Sequence, residues 1–314
     1  YGERLMPEQT NEILQIIYQL AGNRDISRLH DTGDDDFSFS IPGLSRFRIN
    51  AYKQRGSLAA VIRVIAFQLP DPAELSIPED VMSVADLTKG MVLVTGSAGS
   101  GKSTTMACLI DRINHSREGH IITLEDPLEY LHRHDRCIVS QREICTDTEN
   151  YITSLRATLR QSPDVILLGE MRDHETIQTA MTAAETGHLI LSSLHTLGAA
   201  NSLNRIIDVF DASQQRQIAV QLSMVLKAVV SQQLIPAKNG TLVPAFEIMV
   251  MTPAISNMIR DNKVHQIDGI IYTSAKEDMI SMDNSLLELY RKGIITQETV
   301  LQYCTNPEMT RKKL

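Results

Sequence analysis

What this sequence lacks narrows its role first. Its four cysteines, Cys108, Cys137, Cys145 and Cys304, include no C-x-x-C pair, which argues against a zinc knuckle or a disulfide framework and leaves them as small thiols. No apolar run approaches the ~20 residues that a bilayer-spanning helix needs, and no charged, apolar, small-residue leader precedes the first helix. The expectation is a cytoplasmic chain, peripheral at the inner face of a membrane through partners. Basic charge is also short: 30 Lys and Arg against 38 Asp and Glu give a net charge of −8 and a pI near 5.6, so direct binding of nucleic acid is not expected. No internal repeat is visible. What remains, 314 residues that are 43% apolar, has room for two ordinary domains with real cores.

The stretch around which the rest is organised runs from Met91 to Thr105, M-V-L-V-T-G-S-A-G-S-G-K-S-T-T. Met91 to Thr95 is short, apolar and β-branched; a loop with glycines at 96, 99 and 101 follows, and helix formers resume at Met106. Gly96 to Ser103 fits G-x-x-x-x-G-K-[ST], in which backbone N–H groups cradle phosphates, the lysine reaches the terminal phosphates and the hydroxyl helps hold Mg²⁺. The candidate nucleotide-binding residues are therefore Gly96, Ser97, Ala98, Gly99, Ser100, Gly101, Lys102, Ser103 and Thr104. A helix starting here would turn its positive end toward the anion, and ATP with Mg²⁺ is the expected ligand.

Upstream, Pro7 to Leu20 carries a helical apolar pattern, Arg24 to Asp36 reads as a helix end and loop, and Phe37-x-Phe39-x-Ile41 alternates as a strand up to a Pro42-Gly43 turn. Phe47-x-Ile49-x-Ala51 and Val61 to Phe67 add two strands of a small antiparallel sheet. Three prolines between Leu69 and Glu79 mark a linker, so the expected division is 1–68, linker 69–79 and 80–314. Downstream, helix Ser103–Asn114, strand His120–Leu124, helix Tyr151–Gln161, strand Val165–Leu168, helix His174–Thr186 and strand Leu189–Ser193 alternate. That rhythm argues for an α/β fold with a parallel sheet covered on both faces. Ligands then gather at the carboxyl ends of the strands, where Gly96, Glu125, Glu170 and His195 all fall. Asn201–Phe210 and Gln214–Val229 read as helices, and Leu242–Val250 as a strand or hairpin arm. Helices are further expected at Pro253–Arg260, Asn284–Lys292 and Thr296–Tyr303, before a frayed, Lys-rich end.

Hydrolysis of a phosphoanhydride needs a group to orient water, metal ligands and cations that absorb developing charge. Glu170, after the apolar run Val165–Leu168, is the candidate for positioning the attacking water. Glu125, Asp126 and Glu129 form a second set of carboxylates, and Ser103, Glu125, Glu129 and Glu170 are the candidate Mg²⁺ ligands, partly through water. His188 and His195 flank a buried strand and are candidates for sensing the terminal phosphate or orienting Glu170. Arg48 and Arg63 lie on the small sheet.

Four motifs together resemble the twitching-motility ATPases of type IV pili, within the hexameric secretion ATPases. They are G-S-A-G-S-G-K-S-T-T, T-L-E-D-P-L-E-Y-L-H for the aspartate box, Q-S-P-D-V-I-L-L-G-E-M-R-D for Walker B and E-T-G-H-L-I-L-S-S-L-H-T for the histidine box. The resemblance implies a RecA-like P-loop ATPase domain with a C-terminal helical region and a smaller N-terminal PAS-like α+β domain. It also implies Glu170 as catalytic glutamate, Glu129 as the aspartate-box glutamate, and His188 and His195 as histidine-box residues. R-F-R-I-N-A-Y-K-Q-R-G-S-L-A-A-V-I-R keeps the family's two arginines at their spacing, as Arg48 and Arg63, which a homo-hexamer would set against nucleotide at a subunit boundary. The partners implied are an inner-membrane pilus platform protein and a second pilus ATPase. Ala254 to Arg260, A-I-S-N-M-I-R, resembles the retraction-associated A-I-R-N-L-I-R with Ser256 in place of arginine. Its Ala254, Ile255, Met258 and Ile259 should form one apolar edge, leaving Ser256, Asn257 and Arg260 more exposed. The family's opening strand with its S-D-L-H signature is missing and Tyr1 is not a start methionine, so a domain truncated at its start is expected. The competing readings are an extension or secretion ATPase of the same superfamily, a RecA-like DNA motor and a non-catalytic nucleotide-binding adaptor.

Overall fold

The computed structural model describes residues 4–42, 44–65, 69–273 and 279–314. Gly43 of the expected turn, and Ala66 and Phe67 of the expected third strand, lie outside the described residues. The described residues up to Leu69, joined by Leu128–Leu131, form one compact unit, and Pro70–Pro127 with His132–Leu314 form another.

In the smaller unit, α1 (Pro7–Leu20) and α2 (Ser27–Thr32) accompany an antiparallel sheet of β1 (Asp34–Ile41), β2 (Ser45–Gln54) and β3 (Ser57–Ile65), in that order. Proline in its first turn starts α1, which buries Leu14, Ile17 and Tyr18 in a cluster with Phe37, Ile49 and Ala51. Two features depart from the sequence reading. The polar segment before β1 contains the short helix α2, which forms around the fully buried Leu29. And β3 begins at Ser57, before the expected Val61, because Arg55 and Gly56 both take positive φ (50° and 81°) and close a tight hairpin with β2.

Beneath the small sheet, the buried Asp35 carboxylate accepts from Tyr18 Oη at 2.9 Å and from two nitrogens of Arg24, each at 2.9 Å. Burial alone would raise its pKa. Hydrogen bonds from Arg24 and Tyr18, with the charges of Arg24 and Arg28, outweigh that and hold it below the ordinary value.

The larger unit is a seven-stranded sheet. After the short α3 (Glu79–Met82) come β4 (Gly90–Thr95), α4 (Lys102–Ser116), β5 (Gly119–Glu125), β6 (Cys137–Glu143), α5 (Tyr151–Thr158), β7 (Val165–Leu168), α6 (His174–Glu185) and β8 (Leu189–Leu194). Then follow α7 (Ala199–Asp208), α8 (Ala212–Val225), β9 (Leu226–Pro236) and β10 (Leu242–Val250). The chain closes with α9 (Pro253–Arg260), α10 (Ile267–Thr273), α11 (Met282–Arg291), α12 (Gln297–Tyr303) and α13 (Pro307–Arg311). The strand order is β10-β9-β4-β8-β7-β5-β6, parallel throughout except for β10, the hairpin arm of β9.

Every residue of β4, β7 and β8 is buried, as a strand covered on both faces requires. Met91, Leu93, Ile166 and Ile190 face α6, α7 and α8 through Ile177, Leu203 and Leu222; Val92, Val94, Leu167 and Leu191 face α4 through Leu109, Ile110 and Ile113. A third cluster joins β9 and β10 to α11 and α12 through Ile235, Val243, Leu286 and Val300.

Three sequence expectations are corrected. The helix expected over Gln214–Val229 ends at Val225, and β9 starts at the next residue. L-K-A-V-V-S is apolar enough for either element, and the slot between β4 and β10 selects the strand. The C-terminal end is not frayed: α13 is pinned by Asp283, whose carboxylate accepts from Thr305 N (2.6 Å), Asn306 N (3.0 Å) and the buried Thr310 Oγ1 (3.0 Å). On α9 the apolar edge is narrower than expected. Ile255 and Ile259 are buried, but Ala254 is exposed and Ser256 is half-buried, its Oγ donating to Ser223 O at 3.2 Å. The segment 69–78 carries no helix or strand, yet Ile77 is buried against the larger core.

Asp35 supplies the test of this packing. Asp35→Ala strands Tyr18 and Arg24 and should cost about 2 kcal/mol in urea unfolding. Because the folded pKa is lowered, the stability Asp35 contributes is fully present above the ordinary carboxylate pKa of about 4 and is lost as pH falls through the folded value. Unfolding curves at a series of pH values should show that loss in the parental protein and not in the variant.

Candidate active site

Sheet order brings the expected chemistry together. β4, β8, β7 and β5 are consecutive neighbours, so at ~4.8 Å per strand their carboxyl ends form a row roughly 15 Å long. Gly96, His195, Glu170 and Glu125 leave those four ends in turn. The row is stitched by backbone: Gly96 N donates to Leu194 O at 3.2 Å, and Gly169 N donates to Leu124 O at 2.8 Å. Ser193 Oγ adds a 2.6 Å bond to Gly169 O.

The phosphate loop is built by close approach. Gly96 (φ 150°), Gly99 (75°) and Gly101 (90°) take conformations that side chains resist. A Cβ at Gly96 would lie 2.3 Å from Gln232 O, and one at Gly101 would lie 2.8 Å from Gln232 Nε2. Gln232 is thus the floor of the loop, and its Oε1 accepts from Thr105 Oγ1 at 2.7 Å, which ties β9 to α4. Lys102 Nζ lies at the loop, donating to Gly96 O at 2.9 Å and Ser97 O at 2.8 Å. Ser100 Oγ is buried with no hydrogen-bond partner among the described residues. A tight backbone ring holding an ammonium and an orphaned hydroxyl at the start of a 15-residue helix suits a phosphate chain.

Glu170 is flanked by a guanidinium and an imidazole. Arg172 Nε lies 2.7 Å from its Oε2 and His195 Nε2 lies 3.5 Å from the same oxygen. One face of the carboxylate is fixed while its side chain stays 13% exposed. Glu125 ends β5, with Gln141 Nε2 donating to its Oε1 at 3.5 Å. The Tyr151 hydroxyl reaches this region: a Cβ at Gly169 would lie 2.8 Å from it. Burial first, then the charges of Glu170, Asp126 and Glu125, push the phenol well above its ordinary pKa, so it stays protonated.

The other expected residues sit elsewhere. His188 precedes β8 at the end opposite His195, roughly 20 Å away along the strand, with Nδ1 2.9 Å from Ala183 O. The fold of one chain does not bring it to the loop. Arg48, Arg63 and Glu129 belong to the smaller unit, where Arg48 and Arg63 are register partners across β2 and β3. Arg48 pairs with Asp36 at 2.8 Å, and Arg63 is exposed. Sequence reasoning missed Gln232, Tyr151 and Arg172. Gln232 was out of reach once β9 was not recognised. Tyr151 reads in the sequence only as the first residue of a helix, which Asn150 caps in the structure. Arg172 carried a usable signal, two residues beyond Glu170.

Residues 33–247 match the family described as type II/IV secretion system protein. The chain is 42% identical over 304 residues to the type IV pilus retraction ATPase PilT of Pseudomonas aeruginosa, covering 97% of this chain and 88% of that protein. It is 40% identical over 300 residues to the type IV pilus ATPase PilU of the same organism, covering 95% of this chain and 78% of that protein. Among solved structures, it is similar to the pilus retraction motor PilT with bound ADP: TM-score 0.88, 40% identity, 96% of this chain and 86% of that one.

Two substitutions separate binding from turnover at this site. Lys102→Ala should abolish nucleotide binding, whereas Glu170→Gln should keep ATP affinity and lower kcat by roughly 10²- to 10⁴-fold, the usual worth of a positioned acid–base group. Equilibrium binding and steady-state hydrolysis on both variants check this, and parental turnover by Glu170→Gln refutes the assignment.

Proposed function

The chain belongs to the type II/IV secretion system protein family, and on that premise we propose that it is a hexameric motor whose ATP hydrolysis drives retraction of type IV pili. It is a P-loop ATPase with an α/β nucleotide-binding domain and a smaller N-terminal α+β domain. The observation that carries the reading is the row of Gly96, His195, Glu170 and Glu125 on four adjacent strand ends, in a chain similar to a pilus retraction ATPase over nearly its full length.

In this reading the N–H groups of Gly96 to Thr104 and Lys102 Nζ hold the β- and γ-phosphates. Ser103, with Glu125 and Glu170 partly through water, would hold Mg²⁺, which when bound draws charge from the phosphate oxygens. Glu170 orients a water whose oxygen attacks the γ-phosphorus as the bond to the bridging oxygen breaks, giving ADP and inorganic phosphate. His195 and Arg172 keep the Glu170 carboxylate aimed. Arg48 and Arg63 act across a subunit boundary, and such arginines contribute roughly 10³ to 10⁵ in rate. His188, far from the loop of its own chain, acts at that boundary as well.

The motor works at the cytoplasmic face of the inner membrane on a pilus platform protein, assisted by a second pilus ATPase. No described helix is long and apolar enough to cross a membrane, which supports attachment through partners. α9 transmits the motion: Arg260 Nη2 donates to Asn257 Oδ1 at 2.6 Å, presenting a shaped polar edge, while Ile255 and Ile259 anchor the helix.

Deleting the gene reads the direction of force. Loss of a retraction motor should leave cells with more surface pili and no twitching, restored by the parental gene and not by Glu170→Gln; loss of surface pili would make it an extension motor instead. Asn257→Ala with Arg260→Ala should keep most ATPase activity but reduce the frequency of retraction events. Normal retraction by this double variant, or loss of hydrolysis in step with retraction, removes the coupling role of α9.

A further inference from the structure

Behind Glu170 lies a cavity of about 360 Å³ with no phosphate-loop residue in its lining. Its apolar wall is Ile177 of α6, Leu194 of β8 and Ile206 of α7, which pack on the face of the sheet opposite α4. Glu170, Arg172, His195 and Arg205 supply its ionisable groups. Glu170 and His195 leave adjacent strands, and Leu194, the neighbour of His195, is hydrogen-bonded to Gly96. Those two strands are one spacing apart, roughly 5 Å, and both side chains line the cavity.

The charge of this lining has a consistent sense. Two guanidiniums outweigh one carboxylate even with His195 neutral. Arg172 meets Glu170 through Nε, which leaves its terminal nitrogens over. Arg205 has no ion pair or hydrogen bond among the described residues, although it lies in the last turn of α7, where a cation already suits the helix dipole. The hydroxyls are committed elsewhere, Ser193 to Gly169 O and Thr196 to Ser202. Recognition in this cavity thus falls to planar, multi-donor cations that match a tetrahedral oxyanion.

We propose that this cavity is a holding and exit site for the inorganic phosphate released by hydrolysis, with Arg205 as its anchoring residue. The inference rests on the ATPase reading. At roughly 30 Å³ per water, the cavity accommodates a phosphate ion with several of its waters. Leaving past Glu170, the phosphate exchanges the lysine and loop amides for guanidiniums on the other side of the sheet edge, while ADP stays on the loop.

The test uses the 314-residue chain in steady-state hydrolysis, with inorganic phosphate as the added inhibitor and chloride matching ionic strength, since salt alone screens these charges. Arg205→Ala should weaken inhibition by phosphate about tenfold, the worth of one charge-assisted hydrogen bond, with ATP KM and inhibition by ADP unchanged. Arg205→Lys should keep most of the parental sensitivity. In single turnovers read with a fluorescent phosphate reporter, Arg205→Ala should shorten the lag between hydrolysis and phosphate appearance, and an unchanged lag overturns the holding role.

The proposal is overturned if the parental enzyme is insensitive to phosphate, or if phosphate inhibits Arg205→Ala as strongly as the parent. It is also overturned if ATP KM and ADP inhibition shift in parallel, which would place Arg205 on the nucleotide. Loss of subunit assembly with phosphate inhibition intact would make Arg205 an interface residue and overturn it too. A parental protein that does not hydrolyse ATP refutes the ATPase reading itself, a result distinct from all of these.

Discussion

Everything at the site depends on four parallel strands being held side by side with both faces buried. The complete burial of β4, β7 and β8 leaves no room for the strands to slip, since a shift of one residue would exchange the α4 face for the α6 and α8 face. Gly96, His195, Glu170 and Glu125 can then stand on consecutive strand ends while lying up to about a hundred residues apart in the chain. Loops set on such an edge inherit its rigidity. This is why a glycine-rich loop, flexible by composition, can present a fixed set of donors.

The edge is closed from one side by β9. Gln232 supports Gly96 and Gly101 and binds Thr105, so the strand beside β4 shapes the loop through backbone contact as well as through hydrogen bonds. On the other side the carboxylates gather. Glu170 is paired with Arg172 at 2.7 Å and has His195 Nε2 3.5 Å from the same oxygen, whereas the Tyr151 hydroxyl, near Glu170, Asp126 and Glu125, stays protonated.

α9 shows how a departure from a motif is absorbed. Ser256 stands where the resembling motif has arginine, and its short side chain turns inward to bond Ser223 O on α8. A longer cation at that place would have to leave the helix pair for solvent. The polar edge that remains, Asn257 with Arg260, is linked within itself and stays exposed. α9 is thus anchored by Ile255, Ile259 and one hydroxyl.

Local chemistry made much of this protein legible in the sequence. The phosphate loop needs glycines and a lysine at fixed offsets, a strand buried on both faces needs a continuous apolar run, and the strand-helix rhythm needs a parallel sheet; those requirements act over a few residues, so Gly96 to Ser103, Glu170 and His195 could be placed on strand ends without coordinates. Only the tertiary structure decided what depends on partners distant in the chain. L-K-A-V-V-S became a strand because a slot beside β4 was available, and Gln232 became the floor of the loop with it. Asp283 converted a Lys-rich end into a pinned helix. Of His188 and His195, which flank one strand, the fold sets His195 beside Glu170 and leaves His188 at the other end. In each case short-range propensity was close to neutral, and burial and hydrogen bonding across the fold supplied the difference.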